Sequence, residues 1–215
     1  LARRVNGLKH MMWSESACLN DATDKLEVIV SADDNGILYR VVREVEEQMP
    51  CHLGAVLDEH DSVYRPEDTE AYMASSGVDV HADFVAYCAR YELDPGVISS
   101  IQQVRREDHV LSAWLQPLAS NMSFEADRLS ALWALVGFRE AGCRADGLLA
   151  SPGTIDSMVT HGALTGPLQV RLWHRADDST GSLVIAVYGE SGDLRLVLND
   201  VRTSRPDHMP DIRFD

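Results

Sequence analysis

The sequence predicts an α+β protein, with a helical centre over residues 66–164 between an N-terminal β-α-β-like segment and a C-terminal three-stranded antiparallel meander. Three observations predict it. Apolar residues in the middle of the chain recur at helical spacing behind Asp, Ser and Pro start signals. The last fifty residues run or alternate apolar between turn-rich breaks. Near the start, two short strand-like runs bracket a stretch of helical period. The natural divisions are residues 1–65, 66–165 and 166–215, forming one compact domain or two small ones.

Leu1 to Met12 sets Arg3, Arg4 and Lys9 among Val5, Leu8 and Met12, the spacing of a short basic amphipathic helix. Leu26 to Ser31, rich in β-branched residues, is a strand. Asp34-Asn35-Gly36 then fits a hairpin turn. Ile37, Leu38, Val41, Val42, Val45 and Met49 nevertheless share one helical face, opposite Arg40, Arg43, Glu44 and Glu47, and the helix is the preferred reading for residues 37–49. His52 to Leu57 becomes a second strand, parallel to the first through a right-handed crossover.

In the central region Pro66-Glu67-Asp68 opens a short helix, and Asp79 caps one bearing Val80, Phe84, Val85, Cys88 and Tyr91. Asp94-Pro95 starts the next, with Val97, Ile98, Ile101 and Val104 inward. Val110, Leu111 and Trp114 suggest another. Ser123 caps the longest, whose stripe is Leu129, Leu132, Trp133 and Val136, and Gly142 stops it. Ser151-Pro152 starts the last, carrying Ile155, Met158 and Val159. The meander uses Leu168–Arg175, Leu183–Tyr188 and Leu194–Val201, with an irregular tail from Ser204.

The formal net charge is −15, from 34 acidic against 19 basic side chains, and 45% of residues are hydrophobic. Such a surface repels phosphate backbones at long range and favours basic partners. No apolar run reaches the roughly 20 residues of a membrane helix, and Leu1–Trp13 has no signal-peptide core, so a cytoplasmic location is expected. A start on Leu1 and not Met is expected of a processed or truncated fragment. Cys18, Cys51, Cys88 and Cys143 lack C-x-x-C spacing and read as reduced thiols. Phosphate-loop, dinucleotide-fold, G-x-S-x-G and H-E-x-x-H motifs are all missing.

Two clusters carry candidate chemistry. Cys88 to Ile101, within residues 84–106, resembles a helix-turn-helix in its small Ala89, apolar Leu93, capping Asp94 and inner Val97, Ile98 and Ile101. That resemblance implies DNA contacts by Ser99, Ser100, Gln102, Gln103, Arg105 and Arg106. Glu92 departs from it, standing where the turn usually has glycine, and the surrounding acids disfavour nucleic acid. The second cluster is Asp58, His60 and Asp61 with Asp33 and Asp34, which the β-α-β reading brings to the carboxyl ends of adjacent parallel strands. Carboxylates converging there would hold Mg²⁺ for phosphoryl-transfer or phosphodiester chemistry; acidic loops after strands are ordinarily just solvated. With no cofactor motif, the leading expectation is a non-catalytic acidic regulatory protein that needs no cofactor. It would bind a protein partner through a basic surface on that partner, with no membrane role.

Overall fold

The computed structural model describes residues 7–13, 26–33, 36–43, 51–58, 77–117, 124–141, 151–174 and 182–204. In chain order the elements are β1 Gly7–Trp13, β2 Leu26–Asp33, β3 Gly36–Arg43, β4 Cys51–Asp58, β5 Val78–Asp79, α1 His81–Arg90, α2 Pro95–Ser100, β6 Ile101–Glu107, β7 Val110–Leu115, α3 Phe124–Ala141, β8 Ser151–Thr160, β9 Leu168–His174, β10 Leu183–Gly189 and β11 Leu194–Ser204. The strands join in one 11-stranded sheet, ordered β2-β3-β4-β1-β8-β11-β10-β9-β7-β6-β5. Every hydrogen-bonded pair in it is antiparallel. Outward from the β1–β8 seam, the order β1-β4-β3-β2 on one side repeats as β8-β11-β10-β9 on the other.

This sheet overturns the helix-centred α+β expectation. Asp34-Asn35-Gly36 is the hairpin position after all: β2 and β3 pair from Leu26↔Arg43 to Asp33↔Gly36, and β3 then pairs with β4. No crossover helix joins parallel strands, because residues 36–43 are themselves extended. Ile37, Val41 and Val42 are β-branched, a side-chain class that loses rotamer freedom in a helix and fits a pleated surface. The basic N-terminal segment is likewise strand β1 over residues 7–13. The expected helix at Val110–Trp114 is β7, where Leu111, Ala113 and Leu115 are buried and Val110, Ser112 and Trp114 half-buried, a period of two. Ser151–Val159 is β8, pairing with β1 on one side and β11 on the other. The expected helix at Pro66 lies outside the described residues.

α3 is the apolar centre of the C-terminal seven strands. Ala131, Leu132, Leu135, Val136 and Phe138 share one core with Leu111, Leu115, Leu168, Leu172, Leu183, Ile185, Leu196 and Leu198. Each fully buried aliphatic side chain there contributes about 1.5–3 kcal/mol against chain entropy. α1 buries Phe84, Tyr87 and Cys88, one helical face, and Phe84 meets Phe138 edge to face at 5.4 Å between centroids. Tyr87 lies so close over Gly137 that a Cβ built there would come within 2.3 Å of the phenol oxygen. Gly137→Ala is therefore expected to destabilise the fold by about 1–3 kcal/mol through overpacking. Urea unfolding checks this, and Tyr87→Phe in the Gly137→Ala background should recover part of the loss.

Among the described residues no helix is long and apolar enough to cross a membrane.

Candidate functional site

α3 is apolar along its middle, and its charged residues lie at its ends: Glu125, Asp127 and Arg128 at the amino end, Arg139 and Glu140 at the carboxyl end. Arg128 and residues 131–140 of α3 are mostly buried, and buried charge is tolerated only where partners compensate it.

At the carboxyl end, the partners come from the sheet. Arg139 Nη2 donates to the His109 carbonyl in the β6–β7 turn. Glu140 Oε1 stands 3.6 Å from His174 Nε2 at the end of β9, and His174 Nδ1 is 3.3 Å from the Ser182 carbonyl beside β10. The Ser182 hydroxyl donates to Asp200 Oδ1 on β11 at 3.0 Å. Both His174 nitrogens are thus occupied by groups that tie α3 to β9, β10 and β11, and the cluster reads as a structural clasp.

The amino end is built differently. Arg128, 3% exposed, donates from Nη2 to the Gly166 carbonyl at 2.7 Å. Gly166 lies in the β8–β9 connection with φ 72, in the left-handed region that glycine enters without steric cost. The other end of that connection is held by β11: the His161 and Gly162 amides donate to the Arg195 carbonyl at 2.8 and 3.2 Å, and Arg195 Nη1 donates to the Ala163 carbonyl at 3.4 Å. Arg195 also pairs with Asp193, whose carboxyl is held below its usual range, first by the hydrogen bond from Ser191 and further by Arg195. Two arginines therefore fix the 161–167 connection, one of them from α3. The first-turn N–H groups of a helix have no intrahelical acceptor and carry the positive end of its dipole. Carboxylates, or negative charge developing on a bound molecule, are stabilised there.

Thirteen residues separate Asp127 from Glu140, about 20 Å along the helix at roughly 1.5 Å per residue, so the two ends are separate places. Buried nucleophiles do not add a third. Burial pushes the Cys88 thiol up to about 11 and the Tyr87 phenol higher still, so both stay neutral at neutral pH.

The sequence-predicted sites fare otherwise. α2 ends at Ser100, and Gln102, Gln103, Arg105 and Arg106 belong to β6, so no recognition helix exists. The Ser99 and Ser100 hydroxyls donate to the Gly96 and Val97 carbonyls of their own helix. The Arg106 guanidinium sits 5.7 Å over the Phe138 ring, turned towards α3. Gln102 and Gln103 are exposed and Arg105 is half-buried on the paired strand. Asp33 ends β2 and Asp58 ends β4; these strands are not neighbours, because β3 runs antiparallel between them. Two strand spacings, about 10 Å, separate their backbones. Asp34, His60 and Asp61 lie outside the described residues. Among the described residues no group of three His, Cys, Asp or Glu converges on a common point. The sequence reading passed over Arg128, Glu140 and the role of His174. A usable signal was Arg128 itself, a charge set beside Leu129 and four positions before Leu132 in the apolar stripe.

No protein-family model matches the chain, and no curated protein matches it. Solved structures do. The dehydratase domain of the CurJ module of curacin polyketide synthase superposes with TM-score 0.72 at 12% identity, over 94% of this chain and 76% of that one. The dehydratase domain of RzxB from Pseudomonas fluorescens gives 0.71 at 17%, over 95% and 78%. An inactive CurK dehydratase, in which one histidine is replaced by phenylalanine, gives 0.75 at 13%, over 97% and 79%. The chain therefore has the hot-dog fold of these domains, an antiparallel sheet about a central helix. This likeness contradicts the expected non-catalytic regulator, helix-turn-helix DNA-binding and phosphoryl-transfer functions.

Proposed function

We propose that this chain is a dehydratase-type domain that removes water from a hydroxylated acyl chain of polyketide kind, at the amino end of α3. The observation that carries this reading is the superposition over 94% or more of the chain on dehydratase domains. In such a reaction a C–H bond and the neighbouring C–O bond break, a C=C bond forms, and the hydroxyl leaves as water with the added proton. The step needs groups that accept and deliver protons, commonly His, Asp or Glu.

Glu125 and Asp127 are the carboxyl-bearing residues in the first turn of α3. Asp127 is assigned to the hydroxyl, delivering a proton to it as the C–O bond breaks, while the proton of the C–H bond passes to a second basic side chain of the site. His174 contacts Glu140, about 20 Å along α3 from Asp127, and is not assigned as its partner.

The test is mass spectrometry of the chain incubated with a 3-hydroxyacyl thioester. The reading expects a product lighter by one water, with the ultraviolet absorbance of a conjugated thioester. Recovery of intact substrate at stoichiometric protein would overturn it.

A further inference from the structure

We infer that Trp133 is a specificity-determining residue, an indole wall along which the apolar tail of a long acyl chain runs from the amino end of α3; this rests on the dehydratase reading, whose site stands at that end. Of the described residues of α3, Arg128 and 130–141, all are buried except Ser130, which is exposed, and Trp133 and Ala141, which are half-buried. Ser130 and Trp133 are three positions apart, so they are neighbours on one face and open a single strip in the amino-terminal half of the helix. The strip then closes. Gly137, four positions beyond Trp133 on the same face, lies under Tyr87, whose phenol oxygen would stand 2.3 Å from a Cβ built there. Ser130, Trp133 and Gly137 are all uncharged, which suits a hydrocarbon and not a phosphate or a carboxylate. Trp133 packs against the core and keeps part of its surface open, so it offers a ligand a fixed apolar wall.

The spacing sets a chain length. Trp133 lies six residues from Asp127, about 9 Å along the axis at roughly 1.5 Å per residue. An extended hydrocarbon advances about 1.25 Å per bond, given near-tetrahedral angles and carbon–carbon bonds of about 1.5 Å. A chain whose reacting carbons stand at the amino end therefore reaches the indole about seven bonds further on. Acyl groups of about four carbons stop short of Trp133, and those of about eight to ten carbons cover it. Each methylene buried there strengthens binding about fourfold.

The experiment uses saturated acyl thioesters of four, six, eight and ten carbons, which lack the hydroxyl and are not dehydrated. Calorimetry measures their binding to the full chain and to Trp133→Leu and Trp133→Phe, and NMR follows the indole N–H resonances. The ten-carbon chain should bind wild type at least about tenfold more tightly than the four-carbon chain, and Trp133→Leu should shrink that ratio below about threefold. The Trp133 indole resonance, identified by its loss in Trp133→Phe, should move with the ten-carbon chain and stay in place with the four-carbon chain. Equal affinity for all lengths in wild type, or an undiminished ratio in a folded Trp133→Leu protein, overturns the assignment. A bound ten-carbon chain that leaves the Trp133 resonance in place overturns it too. Should Trp133→Leu not fold, the wild-type resonance decides alone. The two readings fail separately: the dehydratase reading falls if no 3-hydroxyacyl thioester is turned over, and the role of Trp133 falls if chain length and the indole do not govern binding.

Discussion

Asp127→Asn is expected to lower turnover about a hundred- to ten-thousandfold, the range over which a positioned proton-transfer group acts. The asparagine keeps the size and the hydrogen-bonding reach of the carboxyl and loses its proton chemistry, so stability should stay near wild type. His174→Phe should do the reverse. His174 bridges Glu140 and the Ser182 carbonyl, so its loss removes a contact from a buried carboxylate and one from a carbonyl, at a cost of about 1–3 kcal/mol. Turnover per folded molecule should remain within about threefold, because the clasp lies about 20 Å along α3 from Asp127. Steady-state kinetics beside urea unfolding separates the two ends of the helix. A large kinetic loss in His174→Phe with none in Asp127→Asn would exchange the roles assigned to them.

Leu135→Ala carries the largest expected stability effect. Leu135 is fully buried near the middle of α3, in the core that the inward faces of β7, β9, β10 and β11 share. Truncation removes its transfer energy and leaves a cavity that surrounding strands, paired on both sides, cannot collapse to fill. The expected cost is about 2–5 kcal/mol, read as a fall in the urea midpoint at unchanged slope. A cost below about 1 kcal/mol would mean that α3 is not the centre of this core. Because a domain's whole stability is only about 5–15 kcal/mol, this variant is best studied at low temperature.

Local signals in the sequence located several elements well. Ser123 and Gly142 bracket α3, which runs Phe124–Ala141. Asp94 caps α2 through its bond from the Gly96 amide. Each segment of the expected meander contains a strand, β9, β10 and β11. What local pattern could not give was partnership. β8 is held between β1 and β11, and β7 lies against β9, pairings between residues far apart in the chain.

The helix-turn-helix reading failed for a specific reason. β6 and β7 slip register between Gln102 and Arg105, and Gln103 takes φ 51. This bulge places an extra residue on β6, so Ile101 and Val104 both face the core while three positions apart. A bulged strand thereby copied the spacing of a helix, and it did so directly after the short true helix α2. Glu92, noted as a departure from the motif, adopts φ 52 in the left-handed region where glycine is usual. The turn's geometry is motif-like, and the helix that should follow is six residues long.

The candidate site was less legible than the fold. Arg128 has meaning only beside Gly166, 38 residues away, and nothing in the sequence between them announces that contact. Asp127 reads as one more acid among 34 in a chain of net charge −15.

The most direct measurement of where this protein acts is amide NMR mapping with an unsaturated acyl thioester, the product of the proposed reaction. The account predicts shifts concentrated in residues 124–130 and 161–167, around the Arg128–Gly166 bond. Shifts confined instead to Arg139, Glu140, His174, Ser182 and Asp200 would contradict it, moving the site to the carboxyl end of α3.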